Sequence, residues 1–215
     1  MFDLEKFKEQ YQPDISEVSV KGKRFQFYVP SDIEPLLDPS DPMNNFPLWA
    51  KIWEPSLVLA HHMATLPADP PRICLEIGAG LGVVGIVAAS FGHRVTITEY
   101  DGNALRFIKA NTILNKLPEV KIEKLDWHKL DLDGRYDIIF GSEVVYRKED
   151  YNALMALFRA YLNPNGLIFL AEGIRRTTME FLQRLSEGYT VKAKKKVLRS
   201  QEEEISMLLC EIRPK

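Results

Sequence analysis

The sequence of 215 residues is poor in cysteine and has little net charge. Its two cysteines, Cys74 and Cys210, each lie within an apolar, strand-like run, so we expect buried thiols and no disulfide framework. The formal net charge of −2 gives no overall attraction to nucleic acid or to an anionic membrane. We therefore expect neither a nucleic-acid partner nor a membrane partner.

Long apolar runs are also missing. No stretch reaches the roughly 20 apolar residues that a membrane-spanning helix needs. The first residues are charged and lack the apolar core of a signal peptide. These absences predict a cytoplasmic protein. The length and a hydrophobic content of 46% are ordinary for one globular unit with a single core.

The histidines lack the spacing of a metal site. His61 and His62 are adjacent on a predicted helix and point about 100° apart, so they cannot hold one ion together. His93 and His128 have no partner at a suitable spacing. We predict no metal.

The first part of the chain alternates apolar and polar residues on either side of Lys21-Gly22-Lys23. This pattern predicts a β-hairpin with one buried face. Five prolines follow within residues 30–47 and predict an irregular surface loop. We expect residues 1–48 to form a hairpin and loop extension, and residues 49–215 to form the main domain.

From residue 73 onward, strands rich in Ile, Val and Leu alternate with helical patterns. This alternation predicts an α/β fold with a parallel sheet and helices on both faces. The last two strands have no helix between them and must pair antiparallel or change sheet. The predicted strands are residues 73–77, 94–99, 120–125, 137–141, 166–171, 189–197 and 204–213. The predicted helices are residues 55–66, 81–91, 102–115, 150–162 and 175–187.

A glycine-rich loop follows the first of these strands. Residues 76–82 read Glu-Ile-Gly-Ala-Gly-Leu-Gly, and such glycines let the backbone turn sharply and approach a ligand. The spacing from Gly80 through Gly82 to Gly85 also fits a dinucleotide fingerprint, with Glu99 near the position of a ribose-binding acid. An NAD(P)-binding oxidoreductase is therefore an alternative. However, Glu76 at the strand end suits a cationic amino group better than a pyrophosphate.

Residues 76–82 resemble the first motif of the class I, seven-strand S-adenosylmethionine (SAM) methyltransferases. The resemblance covers residues 49–215 and implies a doubly wound, Rossmann-like seven-stranded sheet that ends in an antiparallel hairpin. It implies SAM as cofactor and S-adenosylhomocysteine as product. By this likeness, Glu76 serves the methionine end of SAM, with Gly78, Gly80 and Gly82 alongside.

The resemblance also assigns residues at the ends of the next two strands. Glu99 would accept both ribose hydroxyls, and Tyr100 would lie against the adenine ring. Asp126 would accept the adenine amino group, with Trp127 packed nearby.

A second resemblance concerns the end of the fourth parallel strand. Ser142-Glu143-Val144-Val145-Tyr146 is similar to the acid-x-x-tyrosine signature of the family 16 methyltransferases, many of which modify protein lysines. The segment from Trp53 to Leu59 is similar to the one that precedes their glycine motif. This likeness implies Glu143 and Tyr146 as catalytic residues, and it adds Trp53 and Ser142 to the cofactor-binding set.

A protein lysine is thus the favoured acceptor. Lysine has an unperturbed pKa of about 10.4 and must lose a proton before it attacks, so we expect Glu143 to position the amine while Tyr146 exchanges a hydrogen bond with it. The alternatives are a small-molecule N-, O- or S-methyltransferase and a SAM-binding scaffold without catalysis.

A short basic run lies in the predicted C-terminal hairpin. It comprises Lys192, Lys194, Lys195 and Lys196. Lysines on an edge strand predict a solvated edge that charge protects from aggregation. Contact with an acidic substrate is the alternative.

Overall fold

The computed structural model describes residues 2–37, 40, 46–199 and 204–215. Short 3-10 helices occur at Glu34–Leu36, Leu48–Ala50 and Lys148–Asp150. The longer elements, in chain order, are α1 (Leu4–Tyr11), β1 (Asp14–Val20), β2 (Lys23–Val29), α2 (Glu54–Met63), β3 (Ile73–Glu76), α3 (Val83–Ser90), β4 (Arg94–Glu99), α4 (Gly102–Leu114), β5 (Lys121–Lys124), β6 (Tyr136–Ser142), α5 (Tyr151–Tyr161), β7 (Leu162–Gly173), α6 (Arg176–Leu185), β8 (Tyr189–Arg199) and β9 (Glu204–Pro214).

Seven strands form one sheet in the order β5-β4-β3-β6-β7-β9-β8. The five strands from β5 to β7 are parallel, β9 is antiparallel to β7, and β8 is antiparallel to β9. The chain order reverses at β3, so the carboxyl ends of β3, β4 and β6 lie together at the switch point of the sheet. The predicted fold class is confirmed.

The helices cover both faces of this sheet because side chains alternate along each strand. On β3, Cys74 belongs to the apolar cluster that contains α2, α3 and α4, whereas Leu75 belongs to the cluster that contains α5 and α6. On β7, Phe169 and Leu170 divide in the same way. Each strand therefore stabilises two helical layers.

The predicted N-terminal hairpin is also confirmed, since β1 pairs antiparallel with β2 from Asp14 opposite Val29 to Val20 opposite Lys23. Its turn has positive φ at both central positions, 49° at Lys21 and 81° at Gly22. This geometry matches the twist of the two strands. The helix α1 that precedes the hairpin was not predicted.

The N-terminal elements pack on α4. Phe7 of α1 is fully buried, and its ring centroid lies 4.9 Å from that of Phe107. The buried Asn111 of α4 accepts the N–H of Tyr28 at 2.7 Å and donates to the carbonyl oxygens of Tyr28 and Leu81. One side chain thus connects the hairpin, α4 and the segment that contains the glycine loop.

Some predicted boundaries differ from those observed. The helix α3 begins at Val83 and not at residue 81, because Gly82 has a φ of 79° and cannot belong to a right-handed helix. Strand β7 starts earlier than predicted, at Leu162, and its register with β6 shifts between Tyr136 and Ile138. Within the predicted loop, residues 38–39 and 41–45 lie outside the described residues. Every helix in the described ranges is too short or too polar to cross a bilayer.

Candidate active site

The glycine loop joins β3 to α3 at the carboxyl edge of the sheet. Gly78, Gly80 and Gly82 have φ values of 56°, 57° and 79°, which residues with a Cβ rarely adopt. A Cβ on Gly78 would lie 3.0 Å from Cζ2 of Trp127, and one on Gly80 would lie 3.4 Å from the backbone oxygen of Trp49. The loop therefore passes close to two tryptophans and needs glycine at these positions.

Glu76 ends β3 beneath this loop and is 2% exposed. Its Oε2 accepts the N–H of Gly85 at 3.0 Å, and a Cβ on Gly85 would overlap this oxygen. Burial raises the pKa of Glu76 well above its ordinary value of 4.5, and the nearby charge of Glu99 raises it further. Gly85 thus makes room for a carboxyl group, and a cation beside that group would stabilise its charged form.

Glu99 ends β4 and turns back to the glycine loop. Its Oε2 accepts the N–H of Gly80 at 2.8 Å, and its Oε1 accepts the N–H groups of Tyr100 at 2.7 Å and Asp101 at 3.3 Å. Burial raises the pKa of Glu99 despite these bonds. The ring of Tyr100 is 60% exposed, and the Nζ of Lys124 lies 4.9 Å from its centroid.

Asp126 and Trp127 follow β5 in a short turn. The Oδ1 of Asp126 accepts the N–H of His128 at 2.8 Å, and the Asp126 carbonyl accepts the N–H of Lys129 at 3.0 Å. These bonds direct the Trp127 ring toward Gly78. The loops after β3 and β5 therefore meet at this tryptophan.

Two carboxylates join the ends of β6 and β7, because each accepts backbone hydrogen bonds from the end of the other strand. Ser142 is the last residue of β6, and Glu143 follows it with a left-handed φ of 55°. The Oε1 of Glu143 accepts the N–H of Gly173 at 2.6 Å. In return, Glu172 accepts the N–H groups of Val144 at 3.0 Å and Val145 at 3.3 Å. The segment after β6 is therefore fixed from both sides.

Arg175 joins the two acids. Its guanidinium donates to Oε2 of Glu143 at 2.5 Å and lies 3.6 Å from Oε2 of Glu172. Glu172 is fully buried, and burial together with the charge of Glu143 raises its pKa to about 8. Both oxygens of Glu143 are thus engaged by the protein itself.

Tyr146 lies at the surface of this edge and is 38% exposed. Burial of its hydroxyl raises its pKa, as do the charges of Asp150 and Glu99, while Arg147 lowers it. The next residue, Arg147, places its guanidinium 5.6 Å from the Tyr146 ring centroid and donates to Oδ2 of Asp150 at 2.8 Å. Nε2 of His128 lies 2.9 Å from Oδ1 of the same buried Asp150. Asp150 therefore ties the loop after β5 to the loop after β6.

Trp53 lies immediately before α2. Its Nε1 donates to the carbonyl oxygen of Leu48 at 2.7 Å, its carbonyl accepts from the hydroxyl of Ser56, and Lys51 lies over its ring at 4.7 Å. These contacts all fall within residues 48–56. Trp49 packs instead on Phe107, at a centroid distance of 5.5 Å.

The structure thus brings the glycine loop, Glu76, Glu99, Trp127 and Tyr146 to one edge. Glu172, Arg175 and Asp150, the partner of His128, were not identified from the sequence. A charged residue at the end of the apolar run that becomes β7 was the one available signal for Glu172. Within the described ranges, no group of three or more potential ligands is arranged to hold a metal ion.

Comparison with known proteins gives a family for this chain. The model of a lysine methyltransferase family matches residues 41–188. Protein N-lysine methyltransferase METTL21A of Danio rerio is 34% identical over 152 residues, which cover 66% of this chain and 69% of that protein. Histone-arginine methyltransferase METTL23 of Rattus norvegicus is 33% identical over 124 residues, which cover 53% of this chain and 54% of that protein.

A solved structure shares the fold. TYW2 of M. jannaschii in complex with AdoMet superposes with a TM-score of 0.60 at 17% identity, covering 94% of this chain and 88% of that chain. The family match spans the glycine loop, the acids at the strand ends and the segment after β6. The chain therefore belongs to the lysine methyltransferase family and is a SAM-dependent methyltransferase.

Proposed function

We propose that the chain transfers a methyl group from SAM to the side-chain amine of a lysine in a protein, leaving S-adenosylhomocysteine. The observation that carries this proposal is the position of the strand-end acids and Tyr146 at the edge of the sheet that carries the glycine loop, in a chain of this family. Both named relatives act on proteins, which favours a protein acceptor over a small molecule.

The glycine loop and Glu76 suit the amino-acid end of the cofactor. Gly78, Gly80 and Gly82 leave the backbone accessible where a Cβ would obstruct it. A bound α-ammonium group would stabilise the charged carboxylate of Glu76 and so lower its raised pKa. The carboxylate would in turn stabilise the bound ammonium group. When bound, SAM supplies a methyl group that its sulfonium already activates.

Glu99 and Asp126 suit the nucleoside end. Glu99 accepts three backbone N–H groups, which use about three of the four lone-pair sites of its carboxylate and leave one for a ribose hydroxyl. Tyr100 offers an exposed aromatic face, and Trp127 offers a second one across the loop. Asp126 would accept the adenine amino group from the turn that presents Trp127.

Ser142 and Trp53 complete the proposed cofactor set. Ser142 stands at the end of β6, one residue before Glu143. The Trp53 side chain donates a hydrogen bond to Leu48, and the same segment places Trp49 against Gly80 of the glycine loop. This arrangement supports an indirect contribution of Trp53 to cofactor binding.

At the reacting end, we assign different roles to Glu143 and Tyr146. Both oxygens of Glu143 already accept from Gly173 and Arg175, so its carboxylate is best suited to fixing the segment that carries Tyr146. Tyr146 is partly exposed, and within the described part of the chain its hydroxyl has no hydrogen-bond partner that would compete with a lysine amine. Correct placement of the attacking nitrogen contributes most to a displacement of this kind.

The lysine must lose a proton before its lone pair can attack, because its unperturbed pKa is about 10.4. The Glu143 carboxylate is poorly suited to take that proton, because both of its oxygens already accept from Gly173 and Arg175. We assign the proton transfer to solvent, with the Tyr146 hydroxyl aligning the neutral amine.

Tritiated SAM, incubated with the enzyme and a lysate of the source organism, tests this function. We expect label in the protein fraction that co-elutes with methyl-lysine after acid hydrolysis. Tyr146→Phe should lower the labelling rate by at least about tenfold, because it removes a hydrogen bond made to the reacting amine. Tyr136→Phe, at the opposite end of β6, is the matched control and should retain the rate.

Other outcomes would reassign the acceptor. Label confined to small molecules would overturn the protein-lysine assignment, and label that co-elutes with methyl-arginine would replace lysine by arginine. Glu143→Ala should lose labelling while it still binds S-adenosylhomocysteine in titration calorimetry. Equal labelling by wild type, Tyr146→Phe and Glu143→Ala would remove both residues from the reaction.

A further inference from the structure

A groove of about 760 Å³ lies between β1, α2 and the β8–β9 hairpin, and none of its lining residues belongs to the glycine loop. It is lined by Leu57 and Val58 of α2, which we call its floor, by Val18 of β1 and by Leu198 of β8. We call this feature the lateral groove. Its floor is apolar, as in protein sites that take up side chains.

The lateral groove opens at the same edge of the sheet as the candidate active site. Gly173, which binds Glu143, pairs with Met207 of β9, and Met207 pairs with Lys196 of β8. Lys196 is therefore level with Gly173 and two strands away, which is about 10 Å. Val197 continues beyond it, so a chain in the groove can reach the edge where Tyr146 lies.

One side of the lateral groove is positively charged. Lys192, Lys194 and Lys196 alternate along β8 opposite Glu211, Leu209 and Met207, and Leu209 lines the groove. Directly opposed residues of an antiparallel pair share a face, so the three lysines face the groove side. Burial lowers the pKa of His62, which also lines the groove, and the charges of Lys196 and Lys194 act in the same direction.

Among the described residues, no ion pair includes Lys192, Lys194 or Lys196. On the same face, Glu211 is paired with Arg213 at 2.8 Å. Glu17 lies on the β1 side, so an acidic ligand would place its charges toward β8.

The two strands beside the groove are both edge strands. Within the described chain, β1 pairs with β2 alone and β8 pairs with β9 alone, so each presents an unpaired edge. Unpaired edges bind extended segments through backbone hydrogen bonds, while neighbouring pockets take up alternate side chains. A second copy of this chain is a poor occupant, because it would bring two rows of lysines together.

We propose that the lateral groove binds an extended segment of the protein substrate that carries alternating acidic and apolar side chains. This inference rests on the proposed function, since it places the segment beside the lysine that is methylated. Acidic side chains contact the β8 lysines, and apolar side chains contact Leu57 and Val58.

Fluorescence anisotropy with a short fluorescein-labelled peptide of alternating Glu and Val tests the proposal. We expect salt-sensitive binding that the double variant Lys194→Glu, Lys196→Glu weakens by at least about tenfold. Lys195→Glu is the matched control, because Lys195 lies on the same strand but pairs with Leu208 on the opposite face. It should change binding by less than about threefold. Titration with S-adenosylhomocysteine should be the same for all three proteins.

No binding of the Glu-Val peptide, equal loss in Lys195→Glu, or tighter binding of a single-stranded RNA oligomer would each overturn the proposal. Protein labelling from tritiated SAM separates this outcome from the proposed function. Equal labelling by wild type and the double variant would refute the groove and leave the function intact. Peptide binding without protein labelling by any variant would refute the function instead.

Discussion

Glu172, near the end of β7, is fully buried and accepts the backbone N–H groups of Val144 and Val145, which follow β6. Its pKa rises from an ordinary value of 4.5 to about 8. The folded chain therefore binds one more proton than the unfolded chain between these values. Stability is highest at the acid end of this range and falls as pH rises through about 8.

We expect Glu172→Gln to remove this pH dependence, because glutamine stays uncharged. The slope for the wild type approaches about 1.4 kcal/mol per pH unit when a full proton is linked to unfolding. Urea unfolding between pH 6 and pH 9 measures the difference in slope. The exposed Glu119→Gln serves as control, and parallel curves for wild type and Glu172→Gln would contradict the expectation.

Glu99→Gln should weaken the binding of S-adenosylhomocysteine by at least about tenfold, because hydrogen bonds to a charged group contribute about 1.5–3 kcal/mol. Titration calorimetry measures this change. Glu123→Gln, on the neighbouring strand β5, should bind like the wild type. An unchanged affinity in Glu99→Gln would place the ribose elsewhere, and circular dichroism should show that the variant is folded.

Residues differ in how far sequence alone defines their surroundings. Glu76 and Glu99 are predictable because each ends a strand beside the glycine loop. The reciprocal hydrogen bonds of Glu143 and Glu172 cannot be predicted in this way, because they depend on which strand lies next to β6 and on the register of the two strands. The link between His128 and Asp150 likewise joins two loops that are distant in sequence.

At the scale of elements, most strands and helices were predicted from their periodicity, and α1 was not. Its apolar residues Leu4, Phe7 and Tyr11 do follow helical spacing, and Asp3 caps the first turn by accepting the N–H of Lys6 at 3.0 Å. The helix is short and half of its residues are charged, so its stability comes from packing on α4, which the sequence does not reveal.

Phe7→Ala should therefore lower the free energy of unfolding by about 3–5 kcal/mol, since Phe7 is fully buried against Phe107. Chemical denaturation measures this loss. Ile15→Ala is a suitable control because Ile15 is 54% exposed, and it should cost less than about 0.5 kcal/mol. Equal losses for the two variants would mean that α1 contributes little to the fold.

At the scale of the whole molecule, the order of the strands determines which functional groups share an edge of the sheet. The reversal at β3 gathers the acids on one side, and the antiparallel β8–β9 hairpin brings a row of lysines to the same edge. The predicted extension of residues 1–48 shares an apolar cluster with α3 and α4. Its division from residues 49–215 stays a prediction.

The Asn111 side chain bonds both to Tyr28 in the N-terminal hairpin and to Leu81 in the glycine loop. The hairpin and the glycine loop are therefore hydrogen-bonded to the same buried side chain. Coupling of this kind is reciprocal in thermodynamics, so whatever stabilises the loop also stabilises the hairpin, and loosening the hairpin reduces the order of the loop. The amino-terminal segment thus acts as a distant determinant of how well the methyl-donor loop is preorganised.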